Sequence, residues 1–143
     1  MKNDSIFEEK SENEYEFQLV DSKLRPNYSF KIVFCGESGV GKTSIVSKKT
    51  KIHFNNSYEP TVCFEHSWQN YKVNDIIMRI QIWDTCGQEL YRSLIKNFYR
   101  SSMMAFVVFS LNDLSSFEKL ELWVKEVKEI ASPDMIIYLI GNK

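Results

Sequence analysis

Eight consecutive residues, Gly36-Glu37-Ser38-Gly39-Val40-Gly41-Lys42-Thr43, fit G-x-x-x-x-G-K-[ST], the pattern of a loop that wraps phosphates. Glycines let the main chain close around an anion in conformations that a Cβ forbids. Successive amides then point inward, and the following helix adds the partial positive charge of its N-terminus. Lys42 would meet the outer phosphates as a point charge, and Thr43 would offer its hydroxyl to Mg²⁺. The loop alone does not choose between ATP and GTP, or between hydrolysis and transfer. Its bland alternative is a Gly-rich turn in some other α/β protein.

A second set of chemical groups lies at Trp83-Asp84-Thr85-Cys86-Gly87-Gln88-Glu89. A carboxylate at a strand end, one strand from a phosphate loop, can hold Mg²⁺ directly or through water. Gly87 would let a backbone N–H approach a terminal phosphate, and Gln88 could orient an attacking water. D-x-x-G alone is common; its pairing with the phosphate loop and with Gln88 gives it weight.

The elements that position these groups follow from periodicity. Phe30–Cys35 predicts a buried strand before the loop, and Thr43–Lys51 a helix after it. A polar loop runs through Asn55-Asn56-Ser57 to Pro60. Val62–Val73 and Ile76–Trp83 predict a hairpin turning near Asn74-Asp75. Leu90–Tyr99 is a short helix or ordered loop, and Met103–Ser110 an apolar strand. Leu114–Ile130 carries Leu120, Trp123, Val124 and Val127 at helical spacing, with Asn112 or Asp113 as cap. Met135–Ile140 is another buried strand after a turn at Pro133. The aromatics Phe106, Phe109, Phe117 and Trp123 are expected in the core. Alternating strands and helices predict an α/β fold: a mostly parallel sheet with helices on both faces and its site at the carboxyl ends of the strands.

Composition narrows the class. The 143 residues suit one domain, and 43% apolar content supports a core. A net charge of −1 gives no sign of a nucleic-acid partner. Cys35, Cys63 and Cys86 form no C-x-x-C pair, so a reduced, cytoplasmic setting is the default and Cys35 is expected as a small buried hydrophobe. Residues 1–27 hold seven acids against four bases and are expected to be an acidic, disordered leader, with 28–143 as the folded domain. The alternation of Tyr15, Phe17 and Leu19 with Glu16 and Gln18 allows a short strand or docking peptide instead.

Tyr28 to Lys143 resembles the Ras-like small GTPases, specifically the Rab branch. The resemblance rests on Gly36–Ser44, Phe54 through Thr61, Gln81–Glu89 and Gly141-Asn142-Lys143, with Tyr91-Arg92-Ser93-Leu94 and Phe98-Tyr99-Arg100 favouring Rab over Ras or Rho. It implies a P-loop NTPase fold of small-GTPase type and hydrolysis of GTP to GDP in a molecular switch of vesicle trafficking. It implies nucleotide contacts by Glu37, Ser38, Gly39, Val40, Gly41, Lys42, Thr43 and Ser44. Phe54 matches the ring that stacks on guanine, and Tyr58 the switch aromatic over the phosphates. Thr61 matches the switch threonine that ligates Mg²⁺ beside Thr43 and Asp84. Gly87 falls at the terminal phosphate, and Asn142 and Lys143 match the first two members of the guanine-reading motif. Lys42, Thr61 and Gln88 would carry the catalysis. No arginine finger is evident, so slow intrinsic turnover is expected, with an activating partner adding on the order of 10³–10⁵. Exchange proteins and effectors are the other implied partners, the effectors through Trp83, Phe98 and the switch loops.

The chain departs from the family pattern in places. The Asp of Asn-Lys-x-Asp would follow Lys143, where the sequence stops. Without it the expectation is at least ~10-fold weaker binding and a blurred choice of base. The family's last strand and C-terminal helices would also follow, so Met135–Ile140 is expected as an apolar edge strand. A fragment, a truncated product and a short form completed by a partner are the three readings of this. A prenylated cysteine tail is not in the sequence, so membrane anchoring is not supported by it; a longer prenylated form would reach the cytosolic face of endomembranes. Cys86 replaces the usual Ala and Cys63 the usual Gly. His66 takes the first place of the effector aromatic triad, with Trp83 and Phe98 in the others, and no metal role is expected of it. Two further functions stay in play: a non-catalytic interaction module with weak or no nucleotide binding, and a phosphate-loop ATPase, which Phe54 and Asn142-Lys143 disfavour.

Overall fold

The computed structural model describes residues 16–50, 64–85 and 92–143. Ten elements follow in chain order: β1 (Gln18–Val20), β2 (Tyr28–Cys35), α1 (Lys42–Thr50), β3 (Phe64–Val73), β4 (Ile76–Thr85), α2 (Arg92–Tyr99), β5 (Met104–Ser110), α3 (Leu114–Glu118), α4 (Leu120–Ile130) and β6 (Ile136–Asn142). The six strands form one sheet in the order β1-β3-β4-β2-β5-β6. β4, β2, β5 and β6 are mutually parallel, while β3 is antiparallel to both β1 and β4. The β3–β4 turn uses Asn74 at φ 53, a left-handed conformation that Asn tolerates better than most residues.

The period of β2 sorts its side chains onto two faces. Val33 and Cys35 pack with Ala105, Val107, Tyr99 and, from α4, Leu120, Trp123 and Val127. Ile32 and Phe34 pack the other way, with Val40, Val108 and, from α1, Ile45 and Val46. The expected arrangement of helices on both faces of a mostly parallel sheet is what forms. Each fully buried valine in these layers stabilises the fold by roughly 1.5–3 kcal/mol relative to exposure. Cys35 is a buried hydrophobe whose burial pushes its thiol pKa up to about 12, so it stays protonated.

Three expectations need correction. First, the stretch read as leader contributes β1. Gln18, Leu19 and Val20 pair with Lys72, Tyr71 and Asn70, so the sheet begins before Tyr28. The alternation in that segment is not what docks it, since Phe17 and Leu19 are exposed. The grip is polar. The buried Asn70 donates from Nδ2 to the Asp21 carbonyl at 3.1 Å and the Leu24 carbonyl at 2.9 Å. Arg79 donates from Nη2 to the Ser22 carbonyl at 2.9 Å and from Nε to Asn70 Oδ1 at 3.0 Å. Second, the single helix over Leu114–Ile130 is broken at Lys119. Asp113 caps α3 by accepting from the Ser115 N–H at 3.0 Å. Ser116 then turns its hydroxyl to the Asp113 carbonyl at 2.7 Å and accepts from the Ser110 N–H, a local bond that competes with helix propagation. Third, Phe117 is exposed, resting edge-on against Phe109 rather than in the core. Ile136, Tyr138 and Leu139 of β6 are half exposed, as expected for an apolar edge strand.

Candidate functional site

The carboxyl ends of β2, β4, β5 and β6 lie together, and the loop 36–41 leaves β2 at that edge to enter α1. Its path takes three glycines through positive φ, and at two of them there is no room for a Cβ. At Gly36 (φ 132) a Cβ would collide with the Val108 carbonyl oxygen. At Gly41 (φ 97) it would collide with the Asn142 side-chain amide. Four loop carbonyls are taken by side-chain donors. Lys42 Nζ, buried inside the loop, donates to Gly36 at 2.9 Å and Glu37 at 2.8 Å. Asn142 Nδ2 donates to Val40 at 2.8 Å, and Lys143 Nζ to Gly39 at 2.6 Å. Across a trans peptide the carbonyl and the next N–H point opposite ways. The N–H groups of Glu37, Ser38, Val40 and Gly41 are therefore turned away from those donors, which is how a phosphate cradle is built.

Asp84, the penultimate residue of β4, lies against this loop, in register with Phe34 of β2 and Glu65 of β3. It is 1% exposed, and neither carboxylate oxygen completes a hydrogen bond of ordinary geometry among the described residues. Burial pushes its pKa up to about 6; a loose hydrogen bond from the Thr43 hydroxyl and the charge of Lys42 pull the other way, and Glu65 adds to the rise. A buried carboxylate with unused lone pairs beside a hydroxyl is a donor set that a hard divalent cation takes, so Thr43 and Asp84 fit Mg²⁺. The neighbouring Thr85 is different: its hydroxyl donates to the Phe34 carbonyl at 2.7 Å and serves the sheet.

Glu37, Ser38, Gly39, Val40, Gly41, Lys42, Thr43, Asp84, Asn142 and Lys143 are thus brought to one corner, with Ser44 in the first turn of α1. Phe54, Tyr58, Thr61, Gly87 and Gln88 lie outside the described residues, as do Cys63 and Cys86. Periodicity gives no sign of two further participants. Lys119 and Trp123 both bind the Glu37 carboxylate, at 2.7 and 2.9 Å. Only the polar atom on Trp123 hints that its place in the core has a second use.

A separate aromatic surface lies on β3, β4 and α2. His66 stacks on Trp83 at 4.3 Å between centroids, Trp83 on Phe98 at 4.7 Å, and Phe64 leans on both. Lys31 places its ammonium 4.9 Å from the Trp83 ring and donates to Ser101. The three positions singled out in the sequence therefore form one contiguous stack.

The family model described as "Ras family" matches residues 31–143. The chain is 38% identical over 117 residues to the Ras-related protein RABA1c of Arabidopsis thaliana, a match covering 82% of this chain and 54% of the relative. It is 38% identical to the Ras-related protein Rab11B of Nicotiana tabacum and 36% identical to the Ras-related protein RIC2 of Oryza sativa subsp. japonica, with the same shares covered. The chain spans about half the length of the curated relatives it matches. Among the described residues no helix is long and apolar enough to cross a membrane.

Proposed function

The chain belongs to the Ras family, in its Rab branch, and from that premise we propose that it is a guanine-nucleotide switch that hydrolyses GTP to GDP in vesicle trafficking. The observation that carries this reading is Asp84: a carboxylate sealed from water, short of hydrogen bonds and set against the phosphate loop beside Lys42 and Thr43. Its burial is a cost without a ligand and an advantage with one.

In this reading the amides of the loop hold the β- and γ-phosphates, and Lys42 moves its charge from the loop carbonyls onto them. Thr43 and Asp84 would hold Mg²⁺, with Thr61 as the switch ligand, and an ion held there would supply neutralising charge at the phosphate oxygens. Gln88 orients water for in-line attack. Asn142 reads the guanine edge while tethered to Val40, Lys143 flanks it, and Phe54 and Tyr58 cover base and phosphates. Gly87 senses the terminal phosphate, whose loss releases the switch loops. Activating and exchange proteins act on those loops, and effectors dock on the stack of His66, Trp83 and Phe98. The working location is cytoplasmic, at the cytosolic face of endomembranes for a prenylated form.

Titration of the 143-residue chain with fluorescent GDP, with and without Mg²⁺ and in competition with ADP, tests the reading. Mg²⁺-dependent binding that favours GDP over ADP is expected, with affinity and base choice both reduced because the titrated residues do not include the Asp of Asn-Lys-x-Asp. A folded chain that binds no nucleotide would instead be an interaction module, and equal competition by ADP would favour a phosphate-loop ATPase or measure how much the Asp of Asn-Lys-x-Asp contributes to base choice.

A further inference from the structure

Glu37 places a carboxylate on a loop shaped for polyanions, where an unpaired negative charge would repel the ligand. Its surroundings prevent this. Lys119 Nζ binds Oε2 at 2.7 Å and the Trp123 indole N–H donates to Oε1 at 2.9 Å, so both oxygens are engaged by the α3–α4 junction. The main-chain carbonyl of the same residue accepts from Lys42 at 2.8 Å. One residue therefore joins the core helix α4 to the lysine of the phosphate loop. The helix break at Lys119 puts the cation where it can reach, with its N–H bonded back to Ser115 and Phe117 and its backbone at φ −82, ψ −4. Trp123 is 3% exposed and fixed by the core, so the anchor does not move.

We propose that Lys119 and Trp123 brace the phosphate loop through Glu37, holding its shape and turning its carboxylate away from the bound anion. Lys119 is a positioning residue in this scheme; it touches neither nucleotide nor metal. The consequence for nucleotide affinity rests on the proposed function, whereas the brace itself does not.

The test uses the whole chain and four variants. In Lys119→Met, amide hydrogen exchange over residues 37–42 accelerates while the β5 amides keep their protection. GDP binding weakens about 5-fold at low salt, and the defect shrinks at high salt, because the damage is charge repulsion. Lys119→Arg restores both properties. Adding Glu37→Gln to Lys119→Met recovers most of the lost affinity, which a merely structural role for Lys119 would not produce. Unchanged exchange over 37–42 in Lys119→Met overturns the proposal, as does a double variant no better than the single one. If Lys119→Met melts globally, Glu37→Gln alone decides: faster loop exchange in a folded chain supports the brace, and unchanged exchange removes it. If the unaltered chain binds no GDP, the nucleotide reading falls and the exchange measurement settles the brace on its own.

Discussion

Asn70 and Asp84 lie on adjacent strands, both shut away from water, and they differ in one respect. Asn70 spends its side chain fully: two donated bonds to the 21–24 turn and one accepted from Arg79, its register partner on β4. Asp84 has only the Thr43 hydroxyl beside it, and no other hydrogen-bond partner among the described residues. A buried polar group that is satisfied marks architecture; one left short marks a place where something else supplies the partner. The first holds β1 to the sheet, and the second faces the phosphate loop.

The contrast can be broken most directly at Asp84. Asp84→Asn keeps the shape and removes the charge, and Mg²⁺-dependent GDP binding is expected to fall by at least ~100-fold, measured by fluorescent-nucleotide titration. The same variant should be more stable than the parent without ligand. The folded pKa is raised from 3.8 to about 6, so the folded state binds the proton more tightly than the unfolded chain does. Parent stability therefore falls as pH rises from about 4 through 6. Asp84→Asn escapes this, gaining up to about 3 kcal/mol at pH 7 and nothing below pH ~4, as read by urea denaturation across pH. Parallel stability curves for the two proteins would place Asp84 with Asn70 as a settled structural group.

Asn70→Ala should behave oppositely. It strands two carbonyls and Arg79, costs about 2–3 kcal/mol, and leaves GDP affinity intact at temperatures where the fold holds. Denaturation and titration on one preparation check both halves. The smallest effect is expected at Arg79→Lys, about 1 kcal/mol, because the ammonium cannot reproduce the fork that joins Ser22 to Asn70. Limited proteolysis should then cut first within residues 21–24.

The same pair explains what could be read before the fold was known. The phosphate loop, the β3–β4 hairpin and the end of β4 were legible because each is a local pattern: glycines at a fixed spacing, Asn74 in a turn, an apolar run closed by Asp84. β1 was ambiguous because its apolar alternation faces solvent and its real grip comes from Asn70 and Arg79, some fifty residues away. The break at Lys119 was hidden because the helical spacing is carried by Leu120, Trp123 and Val127, all beyond it, whereas the competing bond belongs to Ser116 before it. Glu37 showed its loop position but not its partners, which lie 82 and 86 residues downstream. Pairings across such distances are set by the packing of α4, and no periodicity carries them.

One consequence follows from the lack of room at Gly41. With the Asn142 amide occupying the space a Cβ would need, and bonded to Val40 at 2.8 Å, the end of β6 and the phosphate loop are two jaws of one caliper. The spacing between them is preset by the main chain, so in the proposed function a nucleotide would be gauged by its length from purine to phosphate as well as by its chemistry. Any tug on the rim of β6 is transmitted through the Asn142 carboxamide and the Lys143 ammonium to the jaw that holds Lys42.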